Sequence, residues 1–191
     1  MFRTLPNVRE HTLNQRLLAV CFFTALTAFA AQVKFYVGDN PVPYTMQVFA
    51  VLMAGMTLGA RDGMLSQILY IGLIFFNVPI AAGGVGAAAL SGATAGYLIG
   101  FIPAAGVAGL VVELGANRMW QRMLASVVGI FIIYAIGLPV LKLTLNVSWE
   151  QAWAWSVAPF IAFDLLKAVV ASATNETSRA FILRLFNPNA S

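Results

Sequence analysis

Charged residues are scarce here: Asp, Glu, Lys and Arg make up 9% of the 191 residues, against about a quarter in soluble domains. None falls between Asp62 and Glu113. So little charge cannot cover a water-facing surface, and a soluble globular domain is excluded. Cysteine is reduced to Cys21, inside an apolar run, which excludes an intrachain disulfide or a cysteine metal cluster. The single histidine, His11, precedes the first apolar run, so the apolar region lacks an imidazole base. Ser91-Gly92, which could otherwise suggest an intramembrane serine nucleophile, therefore reads as a loop or cap. No Gly-Lys-Ser/Thr triplet occurs, so there is no phosphate-binding loop and no sign of an intrinsic ATPase. These absences argue against an enzyme, a metal site and any resident cofactor.

What remains is 60% hydrophobic. A membrane-crossing helix needs about 20 apolar residues, so the length allows six spans in one transmembrane domain. Apolar runs are placed at about 17–33, 47–59, 63–76, 93–112, 123–145 and 159–174. Arg3, Arg9 and Arg16 ahead of a run ending Ala28-Phe29-Ala30 mimic a signal peptide. The spans that follow favour a first crossing. Arg61-Asp62-Gly63 reads as a tight turn between the second and third spans. The segment from Lys34 to Thr45 is rich in Pro, Gly and Asn and reads as loop. Residues 80–92 are apolar but too glycine-rich for an ordinary helix, and read as a loop folded over the bundle. Pro159 is expected at the first helical position of the last span, with Asp164 in its second turn, about 8 Å from the helix start.

With six spans, segments 1–16, 60–63, 113–122 and 174–191 share one side. They hold all the arginines: Arg3, Arg9, Arg16, Arg61, Arg118, Arg122, Arg179 and Arg184. The opposite side has Lys34 and Lys142. The positive-inside rule makes the arginine side cytoplasmic, with both termini inside. The expected architecture is thus an all-α six-helix bundle. It has a cytoplasmic segment 1–16, a span region 17–174, a cytoplasmic tail 175–191 and irregular outer loops.

The last span carries Asp164 and Lys167, three residues apart and so on one helical face. A charge inside a bilayer costs at least ~2.5 kcal/mol, so the pair needs a reason. It either holds helices together or forms a polar ligand site. Tyr44, Thr45, Gln47, Asn77, Asp164 and Lys167 could converge at the outer side around an apolar pocket, the usual make-up of a small-molecule site. Each also has a local reading: Asn77 as a helix terminator, Tyr44 as an interfacial aromatic, Gln47 as a cap.

An ordered set of motifs resembles the BioY family, biotin-binding S components of energy-coupling-factor (ECF) transporters. The stretches are Pro43-Tyr-Thr-Met-Gln47, Leu58-Gly-Ala-Arg-Asp-Gly63, Asn77-Val-Pro79 leading to Ala82-Gly-Gly84, Ser91-Gly-Ala-Thr-Ala-Gly-Tyr97, and Pro159-Phe-Ile-Ala-Phe-Asp-Leu-Leu-Lys167. The resemblance implies biotin capture from outside, across the cell membrane of a bacterial-type cell. It implies binding residues Asp164, Lys167 and Asn77 and the Gly83-Gly84 backbone; Tyr44, Gln47 and Ser91 are further candidates from the reading of the residues themselves. Asp164 can accept from the ureido N–H groups, and Lys167 or Asn77 can donate to the ureido carbonyl. Residues 78–112 carry no charge to meet the biotin carboxylate. That leaves the glycine-loop backbone, Ser91 or Lys34, or a carboxylate that stays in water. The implied partners are an ECF transmembrane coupling protein with two ABC-type ATPases, the module being dispensable in some members, or further copies of the chain. Thr24, Ala28 and Ala31 would permit close helix approach. The competing readings are a structural membrane protein whose Asp164–Lys167 pair only packs helices, and an S component for another small vitamin.

Overall fold

The computed structural model describes residues 13–38, 40–115 and 118–186, with side chains to Thr177. His11, Arg3, Arg9 and the rest of segment 1–12 lie outside the described residues, as do the side chains of Arg179 and Arg184 and the chain beyond Phe186. The elements are α1 (Leu13–Gln32), β1 (Lys34–Phe35), β2 (Tyr44–Thr45), α2 (Gln47–Phe75), a 3-10 helix (Ala87–Leu90), α3 (Ala95–Glu113), α4 (Met119–Leu145), α5 (Trp149–Ser156) and α6 (Ile161–Phe186). β1 and β2 form a two-stranded antiparallel ribbon, Lys34 opposite Thr45.

α1, α2, α3 and α4 are each long and apolar enough to cross a membrane, and α5 with α6, bent by 41°, makes a fifth candidate. The chain is a multi-pass membrane protein. Its outward faces carry Leu18, Phe22, Phe29, Phe131 and Leu143, while its interior is rich in alanine. Small interior residues let helices approach closely where lipid supplies no hydrophobic drive.

α2 is not one straight rod. Gly59 has φ 84° and ψ 177°, a conformation open essentially to glycine alone. A methyl group placed on Gly63 would lie 2.8 Å from the Gly55 Cα, whereas a straight helix would separate these residues by about 12 Å. Gln47 likewise hydrogen-bonds Tyr70, about 35 Å away along a continuous helix. α2 is therefore an antiparallel hairpin folded at Gly59. The turn lies earlier than expected: Ala60–Gly63 open the second arm instead of forming the turn. Long-range partners explain the difference. Glu113 Oε1 accepts from the Ala60 N–H at 3.0 Å, capping the new helix start. Asp62 takes a bidentate ion pair from Arg16 at 2.6 and 2.8 Å.

Two further expectations shift. Pro159 lies in the turn between α5 and α6, and helix begins at Ile161, so Asp164 sits in the first turn of α6, not the second. The helix of the last span runs on to Phe186, into the segment expected to be cytoplasmic tail, which leaves the span boundary itself untouched. Thr24 and Ala31 are buried within the bundle, Thr24 donating to the Ser66 carbonyl. They serve packing inside the chain.

Candidate functional site

The polar centre of the bundle is built from α4 and α6. Lys167 Nζ donates to Asp164 Oδ1 at 2.6 Å, and Tyr134 of α4 donates to Asp164 Oδ2 at 2.5 Å. Both charged side chains are about 95% buried, at 5% and 3% exposed. A buried ion pair persists only with well-satisfied hydrogen bonds. Here each carboxylate oxygen has a donor, and the ammonium also lies 4.6 Å from the Phe163 ring centre.

This cluster opens onto a cavity of about 200 Å³. Its floor and sides come from α3, α4, α6 and the turn before α6, through Tyr97, Phe101, Tyr134, Asp164, Lys167 and Phe160. Its rim comes from the loop before α2, through Tyr36, Pro41 and Pro43, and from the glycine turn, through Ala82 and Val85. The wall is mainly aromatic and aliphatic with few polar groups, as in ligand sites generally. Tyr97 Oη and Ser156 Oγ are buried at this wall and make no hydrogen bond of good geometry with the protein, although they lie close enough to influence one another.

Among the sequence candidates, Asp164, Lys167, Gln47 and Thr45 meet on the cavity wall. Tyr44 stands behind it. Its ring stacks on Phe160 at 4.1 Å and Phe35 at 4.9 Å, and its hydroxyl donates to the Pro159 carbonyl at 3.0 Å. Burial, and to a lesser degree the charge of Asp164, raises the Tyr44 pKa, so the hydroxyl remains a donor at neutral pH. Tyr44 thus ties the ribbon to the start of α6. Asn77 has φ 63° and its Oδ1 accepts from the Ala87 N–H at 3.1 Å, so it ends a helix and pins the glycine segment. Gly83 and Gly84, both at positive φ, form the turn closed by the Ala81–Val85 bridge. Their neighbours Ala82 and Val85 face the cavity. A methyl group on Gly83 would collide with Lys34 Nζ, which rests against this turn. Ser91 donates to the Ala88 carbonyl at the end of the 3-10 helix and is absent from the wall.

The sequence reading missed Tyr134, Tyr97 and Ser156. Tyr134 carried a signal: a tyrosine amid an apolar span needs a partner for its hydroxyl, and Asp164 was the one acceptor at hand.

These features define a class: a polytopic helical membrane protein with a partly open, largely apolar cavity whose wall holds a buried ion pair. The profile of the BioY family matches residues 6–183, and the chain belongs to that family. It is 39% identical over 153 residues to the probable biotin transporter BioY of Pyrococcus horikoshii, covering 80% of this chain and 88% of that one. It is 37% identical over 159 residues to the biotin transporter BioY of Thermotoga maritima, covering 83% and 92%. Its fold is similar to a crystal structure described as the S-component for biotin from an ECF-type ABC transporter. The TM-score there is 0.81 at 24% identity, covering 89% of this chain and 95% of that one. The relatives are transport proteins and not enzymes.

Proposed function

We propose that the protein captures biotin at the outer face of the cytoplasmic membrane and delivers it inward as the substrate-binding subunit of an ECF-type transporter. Six crossings with both termini cytoplasmic fit the folded α2, the bent α5–α6 pair and the arginine distribution. The observation that carries the ligand reading is the Asp164–Lys167–Tyr134 cluster at the wall of an apolar cavity. A fused urea and thioether ring system needs this combination. The ureido N–H groups want a charged acceptor, the ureido oxygen wants a donor, and the rings want aromatic and aliphatic walls. In this reading Asp164 accepts from the ureido group, Lys167 donates to its oxygen, and Tyr134 holds the carboxylate in place. The valerate chain points toward the rim, where Lys34 Nζ rests against the glycine turn. In this reading a coupling protein with two ATPases supplies the energy, which fits a sequence with no phosphate-binding loop of its own.

Uptake tests the proposal. A biotin-requiring bacterial strain lacking its own uptake system, expressing this chain with an ECF coupling module, should accumulate labelled biotin at nanomolar supply. Failure to accumulate it, with the chain present in the membrane, would contradict the assignment.

A further inference from the structure

Gln47 is the wall residue whose surroundings are most fully specified, and its partner Tyr70 is absent from the wall. Tyr70 is fully buried, and Gln47 is 5% exposed. Gln47 Nε2 donates to Tyr70 Oη at 2.9 Å, and Tyr70 donates onward to the Ile80 carbonyl at 3.2 Å. At the other end of the same amide, Thr45 Oγ1 donates to Gln47 Oε1 at 3.1 Å. The amide is held at both ends, which leaves one N–H and one carbonyl lone pair for other partners. The Ile80 carbonyl that ends this chain of bonds begins the glycine turn. Gln32 Nε2 also donates to it at 3.2 Å, and to the Ala81 carbonyl at 3.0 Å. Ala81 and Ala82 face the cavity, and the turn closes through Ala81 N–H to Val85 O. A single hydroxyl thus joins the side wall, on the first arm of α2, to the rim, which follows the second arm.

We propose that Tyr70 is a positioning residue for ligand binding: it fixes the orientation of the Gln47 amide and locks that amide to the glycine turn. Wall and rim then present one preset arrangement to the ligand. Without the hydroxyl, the Gln47 N–H loses its buried acceptor and the amide can rotate about its side-chain torsions. The Ile80 carbonyl keeps only Gln32. The ligand must then order both parts when it binds, and preorganisation is lost. This inference rests on the proposed biotin binding and deepens it. Tyr70 itself need not touch the ligand.

The test is a double-mutant cycle with purified full-length protein, biotin as the probe, and affinity and melting temperature read on the same preparations. Wild type is measured first: no binding there would defeat the functional reading and not this inference alone. With wild-type binding in hand, Tyr70→Phe should weaken affinity by roughly 3- to 30-fold, the range for losing one or two buried neutral hydrogen bonds. Most of the change should lie in a faster off-rate. Gln47→Leu should also weaken binding, and the double variant should be no weaker than the weaker single one, because both changes remove the same device. A purely structural Tyr70 would lower the melting temperature while folded protein kept its affinity, and that result overturns the inference. So does a strictly additive loss in the double variant. If Tyr70→Phe does not fold, amide exchange in the wild-type protein takes its place: the Ala81 and Gly84 amides of the turn should be protected already without biotin, and protection that appears only when biotin binds overturns the inference.

Discussion

Replacing Asp164 by Asn tests the polar centre with little change of shape. Asp164 now accepts from Lys167 at 2.6 Å and from Tyr134 at 2.5 Å, with 3% of the side chain exposed. An Asn in the same rotamer offers one oxygen and one NH2, so it can accept from only one of these donors. The other then faces a donor, and Lys167 loses its counter-charge in a dry setting. Hydrogen bonds to charged groups contribute roughly 1.5–3 kcal/mol each. If the ureido N–H groups share this carboxylate, biotin affinity should fall by roughly 10- to 150-fold. Removing one member of a buried pair also costs about 3–5 kcal/mol of stability, so the melting temperature should fall too. Affinity must therefore be measured on the folded fraction, by titration of size-purified protein in detergent. An Asp164→Asn protein that remains folded and binds biotin as wild type does would refute the assignment of this carboxylate to the ligand and leave a helix-packing role.

Tyr134→Phe, which removes one bond to the Asp164 carboxylate, should weaken biotin binding by roughly 10-fold in the same titration, the lower end for a hydrogen bond to a charged group. Lys167→Ala should weaken it more, since it also strands Asp164 without a charge partner. The loop before α2 places Tyr36, Pro41 and Pro43 at the cavity rim, so amide exchange in segment 35–45 should slow when biotin binds. Unchanged exchange in liganded protein would argue against a closing lid. In a Cys21→Ser background, a cysteine at Asn40 should react with impermeant reagents in intact cells and one at Gly115 should not. Equal reactivity would sink the six-span topology. Gly63→Val should destabilise by roughly 1–3 kcal/mol or more through collision with the Gly55 backbone. Gly72→Ala, which meets nothing within 4 Å, should be harmless in the same thermal assay.

The parts of this molecule legible from sequence were those governed by the bilayer. Asp164 and Lys167 stood out because charge inside an apolar run is costly whatever the fold. The two arms of α2 were legible as two apolar runs with a break between them. The break itself was misplaced because Arg61-Asp62-Gly63 has turn chemistry. What moves it to Gly59 is a cap from Glu113 and an ion pair from Arg16, partners 53 and 46 residues away. Ser91 shows the converse: its hydroxyl bonds the Ala88 carbonyl three residues back, a local contact, whereas the Asn77 backbone ends the helix and its side chain reaches Ala87 ten residues on. Pro159 could not be placed to the residue because the hydrogen-bonded turn from Trp153 to Ile161 delays the helix. Tyr134 was legible only as a tyrosine in need of a partner, and Tyr70 not at all, because nothing local distinguishes a tyrosine that orients a carboxylate or an amide from one that fills space.

Isothermal titration of purified wild-type protein with biotin tests the central claim most directly. The account predicts saturable binding of one biotin per chain, tight enough for capture from dilute solution and unaffected by excess thiamine or riboflavin. Folded protein that gives no biotin-dependent heat, or that binds another vitamin in preference, would contradict it.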